Sequence, residues 1–229
     1  MGMKKIVLNI SAIFLICTLS TNAQWQQTNG PYGGNITCFT ICGNNILAGT
    51  AGDGILLSSN SGGNWHAVNN GLTSNSYINC LTVSGTNIFA GTDNGIFLST
   101  NNGANWIVDT NGLNGNYFIT ALTASGTKIF VGTGSESGIF LSNDTGANWT
   151  EADNGLQTYP FVASFAINGT KIFAATGYGV FTSTNNGSSW KESDNGITNP
   201  TSATALVFRR NRYFGRNGCF CRWWDIFIN

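Results

Sequence analysis

Short apolar runs alternate along this chain with segments built from Asn, Gly, Ser and Thr. Runs such as Ile88-Phe89-Ala90 and Ile96-Phe97-Leu98 are too short for a helical face. They are rich in β-branched and aromatic residues and bounded by turn formers, so they predict strands. Gly95 to Trp106 is the recurring template: an apolar strand, a Ser-Thr-Asn-Asn-Gly turn, then Trp at the head of the next strand. Trp25, Trp65, Trp106, Trp149 and Trp190 are spaced by 40, 41, 43 and 41 residues, and a polar segment ending in Asn-Gly follows each. The same turn precedes four of them, at 58–65, 99–106, 142–149 and 183–190. Two more strands come before each turn, as in Ile78 to Val83 and Ile88 to Thr92, with counterparts at 36–50, 119–133 and 162–176.

Each unit therefore holds four short strands, and units of ~40–45 residues with four strands are blades of a β-propeller. The third strands agree with this all-β assignment, because Ile96, Phe97 and Leu98 put apolar side chains on both faces of the strand. That is what a blade packed between two neighbours requires.

The turn Ser-x-Asn/Asp-x-Gly-x-x-Trp resembles the Asp-box (BNR) repeat of sialidases, sortilin-type receptors, xyloglucan-cleaving enzymes and photosystem II assembly factors, over residues 24–196. The resemblance implies a hairpin between third and fourth strands in which Ser and Asp fasten the turn and Trp packs inside the blade, away from any active site. The matching positions are Ser58, Asn60, Gly62 and Trp65; Ser99, Asn101, Gly103 and Trp106; Ser142, Asp144, Gly146 and Trp149; Ser183, Asn185, Gly187 and Trp190. Only Asp144 keeps the acid, while the three Asn residues keep an acceptor without the charge.

The two ends differ from the repeats. Residues 1–23 combine Lys4 and Lys5, an apolar stretch from Ile6 to Cys17 and Thr21-Asn22-Ala23, which predicts a secretory signal cut after Ala23 and an exported bacterial protein with no membrane span once it is removed. Residues 24–208 are the repeat region. At the other end a fifth unit begins with Ser202 to Leu206, then composition changes abruptly to Arg209-Arg210-Asn211-Arg212. Read one base later, Trp223 and Trp224 both become Gly, and Gly215-Arg216-Asn217 can become Ala-Gly-Thr at the register of Ala90-Gly91-Thr92. Residues 209–229 thus read as a frameshifted tail that hides a fifth blade and leaves the propeller incomplete; the alternative is an authentic basic tail.

Charge narrows the functions. Residues 24–208 hold three lysines against nine acids and no arginine, whereas the tail holds five arginines. The repeats offer nothing to neutralise a phosphate backbone, so nucleic acid is excluded as a partner. The sialidase arginine triad that the resemblance would bring has no arginine to supply it. His66 is the only histidine in the chain and falls on an outer strand, which removes histidine-based metal centres and Ser-His-Asp machinery and implies no cofactor. Cys38, Cys42 and Cys80 are an odd set; Cys38 and Cys80 stand where other units have Ala121 and Ser164, so free, buried thiols are expected.

Two candidate sets remain. Asp53, Asp93 and Glu136 occupy equivalent loops after the second strand, and glycoside hydrolysis needs two carboxylates roughly 5–10 Å apart. Tyr77, Phe118 and Phe161 hold equivalent positions before the first strands, with Tyr32, Tyr117 and Tyr159 nearby. They form an aromatic arc at one end of the channel or cap the blade cores. A non-catalytic binding or scaffold module for a protein or glycan is the leading expectation, and a carbohydrate-active hydrolase the alternative.

Overall fold

A computed structural model describes residues 30–31, 34–74, 76–109, 111–113, 117–134, 137–157, 160–194, 205–214 and 220–228. The expected signal segment, Trp25, Tyr32, Tyr159 and Glu136 lie outside the described residues. Blade 1 is β1 (Ile36–Cys42), β2 (Asn45–Thr50), β3 (Ile55–Ser58) and β4 (His66–Ala67). Blade 2 is β5 (Ile78–Ser84), β6 (Asn87–Thr92), β7 (Gly95–Ser99) and β8 (Ile107–Val108). Blade 3 is β9 (Ile119–Ser125), β10 (Lys128–Thr133), β11 (Ile139–Ser142) and β12 (Thr150–Glu151). Blade 4 is β13 (Val162–Asn168), β14 (Lys171–Thr176), β15 (Gly179–Ser183) and β16 (Lys191–Glu192). Each is an antiparallel sheet in chain order, and a further hairpin pairs β17 (Leu206–Phe214) with β18 (Phe220–Ile228). The chain is an all-β propeller of four-stranded blades, with β17 set against blade 4.

A fourth strand of two residues cannot cover a blade's own apolar faces, so the cores lie between blades. Leu47, Ile55 and Leu57 of blade 1 pack with Ile78, Ile88 and Trp106 of blade 2. Phe89 and Ile96 of blade 2 meet Ile119, Ile129 and Trp149 of blade 3, and Phe130, Ile139 and Leu141 meet Val162, Ile172 and Trp190 of blade 4. Close approach is enforced by small residues on the second strands. A Cβ at Gly49 would lie 2.5 Å from Cys38 Sγ and 2.6 Å from Ile78, and Gly91 repeats this against Cys80 and Ile119. Cys38 and Cys80 are free, pressed over these glycines and half-buried, and Cys42 is free and buried.

The inner strands carry a second seam. Their register shifts near the start in every blade, as between Ile36 and Cys38 and between Val162 and Ser164. A bulge re-aims the residue it releases: Thr37 Oγ1 donates to Ile78 O of the next blade, and Thr120 Oγ1 donates to Val162 O at 2.5 Å.

The recurring turn is held by the same bonds four times. In blade 2 the fully buried Ser99 hydroxyl donates to Asn101 Oδ1 (3.0 Å) and accepts from Gly103 N (2.9 Å), while Asn101 Oδ1 also accepts from Asn105 N (2.9 Å). Ser58 with Asn60 and Gly62, Ser142 with Asp144 and Gly146, and Ser183 with Asn185 and Gly187 reproduce it. The residue after each acceptor, Ser61, Asn102, Thr145 or Asn186, sits at φ between 57° and 59°, a left-handed conformation that is strained for β-branched Thr145.

The tryptophans differ from the expectation that they pack inside their own blade. Three lie on the preceding blade: Trp106 Nε1 donates to Val68 O (2.8 Å), Trp149 Nε1 to Asp109 Oδ1 (3.3 Å) and Trp190 Nε1 to Ala152 O (2.7 Å). The acceptor is always three residues beyond the previous tryptophan. Trp65 is only half-buried and its Nε1 has no partner among the described residues. On the same side of blade 1, Phe39 is 57% and Ile41 67% exposed, whereas their register counterparts Leu81 and Val83 pack against blade 1.

Ile41→Ser should therefore change the unfolding free energy by less than ~0.5 kcal/mol and reduce self-association in sedimentation. Val83→Ser at the same register should cost about 1–2 kcal/mol by burying a hydroxyl in an interblade core. Thr145→Asn, matching blades 2 and 4, should raise stability by about 1 kcal/mol in denaturant titration.

Candidate functional site

The strand directions sort the loops onto two ends. First-to-second and third-to-fourth turns share one end. Second-to-third loops and the links between blades share the other. All side chains of the two candidate sets that the structure describes fall at this second end. Tyr77 (41% exposed), Phe118 (38%) and Phe161 (44%) stand at the mouths of blades 2, 3 and 4, each just before an inner strand. Backbone bonds fix two of them to their own second-to-third loop, with Gly134 N donating to Phe118 O (2.8 Å) and Gly177 N to Phe161 O (2.9 Å). Tyr77 instead forms a bridge with Ala51 of blade 1 and so spans a blade boundary.

Tyr117 belongs elsewhere. Its ring packs 5.2 Å from Phe140 and joins the interblade core. Tyr178, by contrast, is 43% exposed in the loop opposite Phe161. It escaped the sequence reading because the equivalent loops were compared for acids; the signal was an aromatic residue at the loop position after Thr176-Gly177.

The acids are not equivalent. Asn79, at the bulged position of β5, donates through Nδ2 to Asp93 Oδ1 (2.8 Å) and ties that carboxylate to its own blade. Asp53 is exposed, its backbone N–H donates to Thr50 Oγ1 (3.0 Å), and no hydrogen bond or ion pair engages its carboxylate among the described residues. It borders a 330 Å³ cleft lined also by Asn69, Leu72, Thr73, Ser74 and Ser76, in which it is the single carboxylate. His66 is exposed on β4 at the opposite end, and among the described residues no three His, Cys, Asp or Glu side chains are placed to hold a metal. No described helix is long and apolar enough to cross a membrane.

One acid lies inside a seam. Asp109, 9% exposed, accepts from Trp149 through Oδ1 and leaves Oδ2 without a partner among the described residues. The equivalent residues in blades 1 and 3 are Val68 and Ala152, whose backbone carbonyls do the accepting. Burial first, with the nearby Asp144 carboxylate adding to it against the Trp149 bond, raises the Asp109 carboxyl to about 6. Asp144 shifts the other way, held below the usual range by hydrogen bonds from Asn148 and Ser142.

No protein-family model matches the chain, and no curated protein matches it. Solved structures do. The chain is similar to YCF48 bound to a D1 peptide (TM-score 0.60, 14% identity, 77% of this chain and 60% of that one). It is similar to the GH74 xyloglucanase from Xanthomonas campestris (TM-score 0.59, 14% identity, 76% and 32%) and to an ancestral GH74 enzyme (TM-score 0.58, 19% identity, 70% and 24%). It thus spans about a quarter to a third of the length of those two enzymes, and the likeness is one of fold.

Because the folded carboxyl of Asp109 lies above its unfolded value, its contribution favours folding fully below about pH 4 and is lost as pH rises through about 6. Asp109→Asn should flatten the stability profile between pH 4 and 7 and stabilise the protein at pH 7.5 by ~1–2 kcal/mol, measured by denaturant unfolding across pH. The Asp144 effect has the opposite sign and acts below about pH 4, outside that window.

Proposed function

We propose that this chain is an exported, non-catalytic binding module whose Asp-box-type blades present an aromatic and acidic end to a protein or glycan partner. The observation that carries the reading is the set of rings at that end. Tyr77, Phe118 and Phe161 keep roughly two fifths of their surface in water at equivalent places in three successive blades, although each could have been turned into an interblade core as Tyr117 is. Rigid aromatic side chains lose little entropy on binding and contribute much of the energy of recognition. YCF48, of the same fold, is bound to a D1 peptide, which supports a protein ligand for a propeller of this kind.

The hydrolase alternative draws on the likeness to GH74 enzymes and on Asp53 and Asp93. Retaining and inverting mechanisms both need a second carboxylate facing the same bond, yet the cleft at Asp53 contains one acid, and Asp93 is bonded within blade 2. The charge change at residue 209 supports a frameshifted tail, and resequencing past codon 200 tests it by whether one base restores Ala-Gly-Thr and Gly-Ile-Phe-Leu-Ser.

Binding is tested on peptide and glycan arrays with the full chain. Tyr77→Ala combined with Phe118→Ala should abolish or weaken a specific signal at least tenfold while the melting temperature stays within a few degrees. Loss of folding would return the rings to a capping role. Release of reducing sugar from xyloglucan that disappears in Asp93→Asn would establish the hydrolase instead.

A further inference from the structure

We infer that the cleft beside Asp53 and Tyr77 is a seat for a lysine or arginine side chain of an extended peptide partner. The inference rests on the binding-module reading and names the chemistry of its ligand.

The first support is the hydrogen-bond inventory of the cleft. The Asn69 amide is oriented by two bonds, its Oδ1 accepting from Ile55 N (2.8 Å) and its Nδ2 donating to Asp53 O (2.9 Å). Ser76 gives its proton to Thr73 O (2.6 Å), so in the 2.8 Å contact between the two hydroxyls Thr73 is the donor. Thr73 Oγ1 is left with acceptor lone pairs, beside the Ser74 hydroxyl and the unengaged Asp53 carboxylate. Beside the second Asn69 Nδ2 proton and the Ser74 hydroxyl, the cleft offers acceptors and one uncompensated negative charge, and that charge is complementary to a cationic donor.

The second support is the charge polarity of the blades. Asp53, Asp93, Asp153 and Asp194 lie at this end, in second-to-third loops or just after fourth strands. In the blades, Lys128 and Lys171 open second strands and Lys191 and His66 lie on fourth strands nearest the opposite end. Among the described side chains, a partner docking here meets acids without intervening cations. Third, Tyr77 is pinned against the loop of Ala51, Gly52 and Asp53 by its bridge to Ala51. Its ring is available to the stem of a long cationic side chain or to the cation itself. Phe118, Phe161 and Tyr178 continue the surface onto the next blades for further residues of the same peptide.

The test is fluorescence anisotropy of the full chain with a labelled alternating Lys-Gly decapeptide. A Glu-Gly decapeptide, a glucosamine hexamer and a xyloglucan heptasaccharide serve as parallel probes. The Lys-Gly peptide should bind, and Asp53→Asn should weaken it about tenfold. Glu151→Gln, which removes the same charge from the exposed outer strand β12, should leave affinity within twofold. Thr73→Val gives a second reading of the cleft, with an expected loss of about threefold. Equal losses for Asp53→Asn and Glu151→Gln, or equal binding of the two peptides, would overturn the seat. Binding of a glycan with no binding of the Lys-Gly peptide would also overturn it while leaving the binding-module reading standing. Failure of every probe on this panel and on the arrays would remove both.

Discussion

The seam between neighbouring blades is the contact on which this structure depends. A sheet whose outermost strand has two residues cannot enclose a core by itself. Blades 2, 3 and 4 therefore each export their tryptophan to the preceding one, where the ring fills the gap and the indole N–H reaches an acceptor three residues past the previous tryptophan. The backbone joins the same seam, since Trp106 N donates to Asn70 O, Trp149 N to Asn111 O and Trp190 N to Asn154 O. Apolar area and hydrogen bonding are thereby coupled: the ring cannot be buried without its polar atom being met. Where the seam is varied, as at Asp109, the cost appears as a carboxyl with one unmatched oxygen and an elevated pKa.

Dividing labour between the two ends of the blade follows from this. The end that carries the Ser-x-Asn turns is uniform, because a fully buried serine hydroxyl, one side-chain acceptor and a left-handed residue must recur for every turn to present its tryptophan correctly. At the other end the recurring bonds run from the threonine that closes each second strand, Thr50, Thr92, Thr133 and Thr176, to a loop carbonyl. Backbone bonds also tie loops to the segments before inner strands, so the remaining loop side chains are free to differ. Tyr77, Asp93, Phe118, Asp53 and Tyr178 vary there from blade to blade around a constant frame. Recognition by a repeat protein needs this combination, since a partner discriminates by differences and the frame holds those differences in place.

Most of the architecture was legible in the sequence because repetition multiplies a weak signal. One apolar triplet or one Asn-Gly says little, but four copies at one spacing identify strand, turn and unit length together, and the four blades follow. Exposure of His66 and the roles of Ser99, Gly103 and their counterparts were equally readable, because they depend on local turn chemistry. The direction in which Trp106 packs was not, since a side chain at a strand head can fold onto either neighbouring sheet and only the assembled pair selects one. Nor could spacing separate Asp53 from Asp93, or Phe118 from Tyr117. Asn79 engages Asp93 because a bulge re-aims it, and Tyr117 is half-buried because its ring packs on Phe140 of its own blade. Repeat, strand and turn are properties of residues near one another in the chain, and the sequence alone determined them. Which way a tryptophan packs is decided between blades, by residues some 40 positions apart. Which carboxylate is free and which ring faces water are decided by side chains on other strands of the same blade, and all of these belong to the tertiary structure.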